Sequence, residues 1–128
     1  MLILVVLLII GAAVAVVAIF VVKTVKAPID VTNNYIEAIN EGNASEVWSL
    51  LDSDSPLRQQ YTQSSFEQEV VNPSVGELRT WNANEVNVTN NKARVEVDME
   101  FTDGTEFTVS FDLRKDNGDW RVYDYDTL

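Results

Sequence analysis

Two stretches near the C-terminus alternate with almost no exception, and that alternation leaves the chain few folds to choose from. Ala93, Val95, Val97, Met99 and Phe101 interleave with Arg94, Glu96, Asp98, Glu100 and Thr102. Phe107, Val109, Phe111 and Leu113 interleave with Glu106, Thr108, Ser110, Asp112 and Arg114. A strand sends successive side chains to opposite faces, so each run predicts a half-buried strand with one apolar and one polar face. Asp103-Gly104 between the runs and Asn117-Gly118 after the second supply the left-handed residues of tight hairpins. A last strand follows from Asp119 to Tyr125. An earlier one lies within 78–89, bulged near Asn82-Ala83-Asn84 and turned into its neighbour by Asn90-Asn91. The expected sheet is a four-stranded antiparallel meander.

Upstream the period becomes helical. Pro28 suits the first turn of a helix and Asp30 its positive N-terminal end, while Val31, Tyr35 and Ile39 recur at i, i+4 and i+8 with Ile29 and Ile36 alongside. Gly42 supplies the stop, and Asn43 with Glu46 forms a capping-box pattern opening a short helix that offers Val47, Trp48, Leu50 and Leu51 to a core. Ser55-Pro56 and Ser64-x-x-Glu67 mark two further starts before Pro73 ends the helical region; Leu57, Tyr61, Phe66, Val70 and Val71 can close one end of the core. Two to three helices packed on a four-stranded antiparallel sheet make an α+β domain.

The first 22 residues, MLILVVLLIIGAAVAVVAIFVV, contain no charged or hydrogen-bonding side chain. As a helix this run extends roughly 33 Å, enough for the hydrocarbon core of a bilayer. It is read as a transmembrane helix over 1–22, followed by a juxtamembrane linker over 23–27 and the folded domain over 28–128. A cleavable signal peptide would need a basic start, a shorter apolar stretch and a small-residue cleavage site, and none of the three is evident. A pilin-like subunit would carry an early glutamate, which this run lacks. The small residues Gly11, Ala12, Ala13, Ala15 and Ala18 permit close helix approach, so a subunit of a larger membrane complex or filament is the alternative. Lys23 and Lys26 follow the run, and the positive-inside rule taken alone places the domain in the cytoplasm.

The order of these elements, with YIEAINEGNASEVWSLL at the opening and ARVEVDMEFTDGTEFTVSFDLRKDNGDWRVYDY at the close, resembles the nuclear transport factor two-like superfamily. Within it, the chain is most similar to bacterial domains of unknown function that follow a single membrane anchor. The resemblance covers 28–128. It implies a cone-shaped roll whose sheet wraps the first helix and leaves a cavity at the wide end. It also implies an extracytoplasmic domain, against the lysine bias, and that placement is the one adopted.

Enzymes of that superfamily place acid–base groups in the cone, often a His and Asp pair. This chain has no histidine and no cysteine, which removes the commonest metal ligand, thiolate zinc sites and disulfides. Asp98 and Asp112 fall on the outward face by alternation. Asp52-Ser-Asp-Ser-Pro56 begins like a calcium loop, but Leu57 and Gln63 stand where the loop needs Gly and Glu. Neither a metal nor a cofactor is expected. From Pro28 onward 7 basic residues face 20 acidic ones, a net charge of −13, which repels nucleic acid. Tyr35, Tyr61, Trp81 and Trp120 are the candidates to line a ligand pocket, though inward aromatics are ordinarily core residues. The sequence is read as a non-catalytic binding or interaction module held in the membrane by residues 1–22, in contact with lipid and with room for a membrane-protein partner. An enzyme acting on a small hydrophobic molecule is the other alternative.

Overall fold

The computed structural model describes the backbone from Ala12 to Leu128 and the side chains from Val25 onward. The proposed membrane span begins in residues that lie outside this description. Among the described residues no helix is long and apolar enough to cross a membrane.

Helix α1 (Ala12–Glu41) departs from the sequence expectation at its start, because it does not open at Pro28 but carries that proline inside it. The ring removes one helical hydrogen bond. It is buried, and the Thr32 hydroxyl donates to the Pro28 carbonyl at 2.8 Å, so the turn after it stays closed. Residues 23–27 are therefore helical backbone. At the other end Gly42 takes φ +78°. Its N–H bonds the Ile39 carbonyl at 3.1 Å and the Asn43 N–H bonds that of Ala38 at 2.8 Å, the paired closure of a left-handed helix stop.

Helix α2 (Ala44–Leu50) is capped by Asn43, whose side chain accepts from the Glu46 N–H. Helix α3 (Pro56–Gln60) is capped by Ser55. The next helical stretch starts at Gln63 rather than at Ser64-Ser65, since Thr62 and Ser65 exchange side-chain and backbone hydrogen bonds in a capping box. It runs as α4 (Gln63–Phe66), a π-helical turn over Glu67–Val71 and a final turn α5 (Asn72–Ser74).

Strands β1 (Leu78–Thr89), β2 (Lys92–Phe101), β3 (Glu106–Asp116) and β4 (Asp119–Thr127) form one antiparallel sheet in that order. Register shifts interrupt β1 between Leu78 and Thr80 and between Ala83 and Glu85, and the β3–β4 ladder at Asp112–Leu113. Such bulges bend and twist the strands, which lets the sheet curl around α1. Tyr35, Ile36, Val47, Phe66, Val95 and Val97 are buried at its centre. At the narrow side the Asp52 N–H donates to the Val122 carbonyl and the Ser55 hydroxyl to that of Tyr123, fastening the short helices to β4. The alternation predicted for β2 and β3 holds, except that Phe107, inward by register with Met99, stays 44% exposed and Ser110, on the polar face, is buried.

Candidate ligand cavity

The core does not fill the roll. At the end of α1 where Asn40 meets β1, an open cavity of about 370 Å³ remains between the helix and the sheet. Tyr35, Ile36 and Ile39 of α1 form one wall, because residues one turn apart share a helix face. Met99, Phe101, Val109 and Phe111 form the opposite wall, being the inward members of the two alternating strands. Val70, Pro73 and Ser74 close a third side, and Glu77, Leu78 and Thr127 stand at the rim.

Two features set its geometry. Asn40 spans from α1 to β1: its side-chain amide donates to the Leu78 carbonyl at 3.2 Å and accepts from the Leu78 N–H at 3.1 Å. Its own carbonyl takes the Gly76 N–H at 2.9 Å. The second feature is a tyrosine pair. The Tyr35 hydroxyl donates to that of Tyr125 at 3.4 Å, and both rings pack against Phe111 with centroids 6.1 and 5.2 Å away. Burial, then the neighbouring Tyr125, raises the Tyr35 phenol well above its ordinary value; burial also raises Tyr125. Both remain protonated at neutral pH and act as hydrogen-bonding groups, not as bases.

Of the aromatic residues singled out from sequence, only Tyr35 lines this cavity. Tyr61 packs edge-on against Phe66 at 5.7 Å. Trp120 is buried at the start of β4, with the Lys115 ammonium 5.6 Å from its ring. Trp81 lines a second open groove of about 430 Å³ on the sheet, together with Asp98, Glu100, Glu106 and Thr108, and Met99 borders both it and the cavity. Carboxylates thus lie beside Trp81, but the Asn84 and Thr108 side chains bond Asp98 and lower its pKa, while Glu100 faces Arg79 at 4.0 Å. The lowered Asp98 is held as a carboxylate at neutral pH, not as a proton donor. Among the described residues no group of three acidic side chains is placed to hold a metal.

Tyr125, Phe101, Met99 and Val109 line the cavity but are not among the four aromatics singled out from sequence. The inward alternation already marked Met99, Phe101 and Val109 as facing α1. Nothing in the local sequence marks Asn40 as a clamp.

A model of the MlaC protein family matches residues 49–126, from α2 through β4. The chain belongs to the MlaC family. No curated protein matches it in sequence. Solved structures agree on the fold. An NTF2-like protein from Cytophaga hutchinsonii superposes with a TM-score of 0.62 at 16% identity, over 80% of this chain and 95% of that one. An NTF2-like protein of unknown function from Shewanella oneidensis gives 0.61 at 15%, over 80% and 96%. A Campylobacter jejuni protein named as an NTF2-like transpeptidase gives 0.61 at 18%, over 74% and 95%. At these identities the likeness shows the roll alone, which serves both binding proteins and enzymes.

Proposed function

We propose that this MlaC-family chain is a non-catalytic binding module, tethered by its N-terminal apolar segment over 1–22, that holds a small apolar molecule in the cavity between α1 and the sheet. The observation that carries the reading is the cavity itself: about 370 Å³, walled by aliphatic and aromatic side chains, with a protonated tyrosine pair inside. Ligand sites are commonly of this kind, an apolar concavity with a few placed polar groups. Members of the MlaC family are periplasmic lipid-binding proteins, which supports both an apolar ligand and a domain outside the cytoplasm.

Filling the cavity tests this. Val109 is half-buried and lines it, so Val109→Trp would place a large ring in the space. Native mass spectrometry of the full chain released from membranes should find an apolar molecule bound to the wild type and lost from Val109→Trp. Both proteins should show the same circular dichroism. Equal occupancy in both would overturn the reading.

A further inference from the structure

The face of the sheet turned away from α1 holds acidic residues in an arrangement that costs stability. The ladder sets Glu85 opposite Glu96, Glu100 opposite Glu106 and Asp112 opposite Asp124. Like charges directly across an antiparallel ladder repel one another. Arg94 offsets Asp112 at 3.2 Å and Arg79 offsets Glu100 at 4.0 Å, but among the described residues Glu85, Glu96, Glu106 and Asp124 form no ion pair. The remaining cations of this face, Lys92, Arg114 and Arg121, stand beyond Asp112 at the hairpin end. In the middle, Ser110 lies between Glu96 and Asp126 in the register, is 5% exposed, and its hydroxyl has no hydrogen-bond partner. A buried hydroxyl without a partner adds a second cost on the same face.

Spacing decides what can offset this charge. Glu96, Asp98 and Glu100 occupy alternate positions of β2, so they leave one face roughly 7 Å apart. A single ion reaches only carboxylates that converge, and among the described residues no three do. An extended polypeptide with a cation at every second residue repeats the same interval. The groove bounded by Thr80, Asn82, Asp98, Glu100, Glu106 and Thr108 gives such a segment a bed at one end of the row.

We propose that this acidic sheet face docks an extended basic segment of a partner protein, its lysines or arginines alternating along Glu96, Asp98 and Glu100, with Glu106 at the groove end. Complementarity of this kind governs choice of partner and rate of encounter. The proposal does not depend on what fills the cavity. Because Met99 borders both groove and cavity, a partner seated here stands beside the cavity.

The probe is a fluorescent octapeptide alternating lysine and threonine, titrated at physiological ionic strength into the full chain in phosphatidylcholine nanodiscs. Attraction to net charge alone is separated by two triple variants that remove equal charge. One is Asp98→Asn, Glu100→Gln and Glu106→Gln on the sheet; the other is Glu37→Gln, Glu41→Gln and Glu69→Gln, exposed on the helical side. The sheet triple should weaken binding about tenfold, as expected for three exposed ion pairs lost together, and the helical triple should leave it nearly unchanged. Peptide should shift the backbone amides of Glu96, Asp98, Glu100 and Ser110. The sheet triple should melt no lower than wild type, since it relieves the Glu100 and Glu106 repulsion, so its lost binding is not lost folding. Equal weakening by both triples, or no shift on the sheet, overturns the proposal. Displacement of the peptide by millimolar calcium with the same amide shifts would overturn it in favour of an ion site, and self-association abolished by the sheet triple would overturn it in favour of a second copy.

Discussion

Arg58 shows how one side chain closes a helix end. Its Nη2 donates to the Trp48 carbonyl at 2.6 Å and the Leu51 carbonyl at 3.3 Å, and its guanidinium lies 4.8 Å from the Trp48 ring centre. A cation at a helix C-terminus meets the negative end of the dipole, and charge-assisted bonds to its last carbonyls are worth more than neutral ones. Arg58→Leu should cost about 2–3 kcal/mol, read from thermal or denaturant unfolding. A second residue-scale test concerns facing carboxylates on the outer sheet. Glu85 pairs with Glu96 across β1 and β2, and partial burial followed by the Glu85 charge raises Glu96 above its ordinary value. A carboxyl raised by folding contributes stability below its unfolded value and loses it as pH rises through the folded one. Glu85→Gln should therefore raise Tm at pH 7, and the gap to wild type should close as pH falls below about 4. Asp98 has the opposite sign: the Asn84 and Thr108 side chains lower it. Its contribution is present above the unfolded value and is lost as pH falls through the folded one, so Thr108→Val should make the protein less sensitive to mild acid.

At the scale of elements, period and punctuation carried most of the fold. The inward and outward residues of β2 and β3, the bulge after Ala83 and the Gly42 stop were legible because each is set by a few adjacent residues. Gly42 gives a direct test. A methyl group there would sit 2.9 Å from Val75 Cγ2 on a backbone at φ +78°. Gly42→Ala should cost about 1–2 kcal/mol from the left-handed backbone alone, more if Val75 cannot move, and a denaturant midpoint would measure it. Two things were not legible. The helix start at Pro28 failed because proline's preference for a first turn is statistical, and a buried ring with a Thr32 back-bond tolerates the interior. The cavity was only partly legible, for a different reason. A packing gap belongs to three elements at once, and no side chain's type reports whether its neighbours fill the space; Tyr35 and Trp120 look alike in sequence, yet one faces the void and the other is packed at the start of β4.

For the whole molecule, the continuity of α1 fixes where the cavity sits relative to the proposed anchor. Tyr35 packs on Phe111 and Tyr125, and five residues later Asn40 reaches Leu78 at the first rung of β1. The helix therefore advances toward the end of the sheet that holds the cavity, and its earlier turns lie toward Trp120 and the Asn117-Gly118 hairpin. At about 1.5 Å per residue, Ile39 stands roughly 25 Å beyond Val22 along the helix. Charge follows the same axis. Lys92, Arg94, Arg114, Lys115 and Arg121 lie on the half of the sheet toward the Asn117-Gly118 hairpin, alongside Asp112, Asp116 and Asp119 and with Arg114 stacked 3.4 Å from the Tyr123 ring centre, whereas Glu77, Asp98, Glu100 and Glu106 at the cavity end stand with Arg79. An anionic bilayer repels the second set more than the first and favours an upright domain with its cavity mouth pointing away from the lipid. A spin label at Val75, exposed near the rim, should then lie beyond reach of a relaxation agent fixed at the headgroups, while one at Asn117 should be strongly affected. The reverse pattern would lay the mouth on the membrane. With the expected pattern, a ligand reaches the cavity from the aqueous side or from a partner, because the proposed tether would hold the opening away from the lipid.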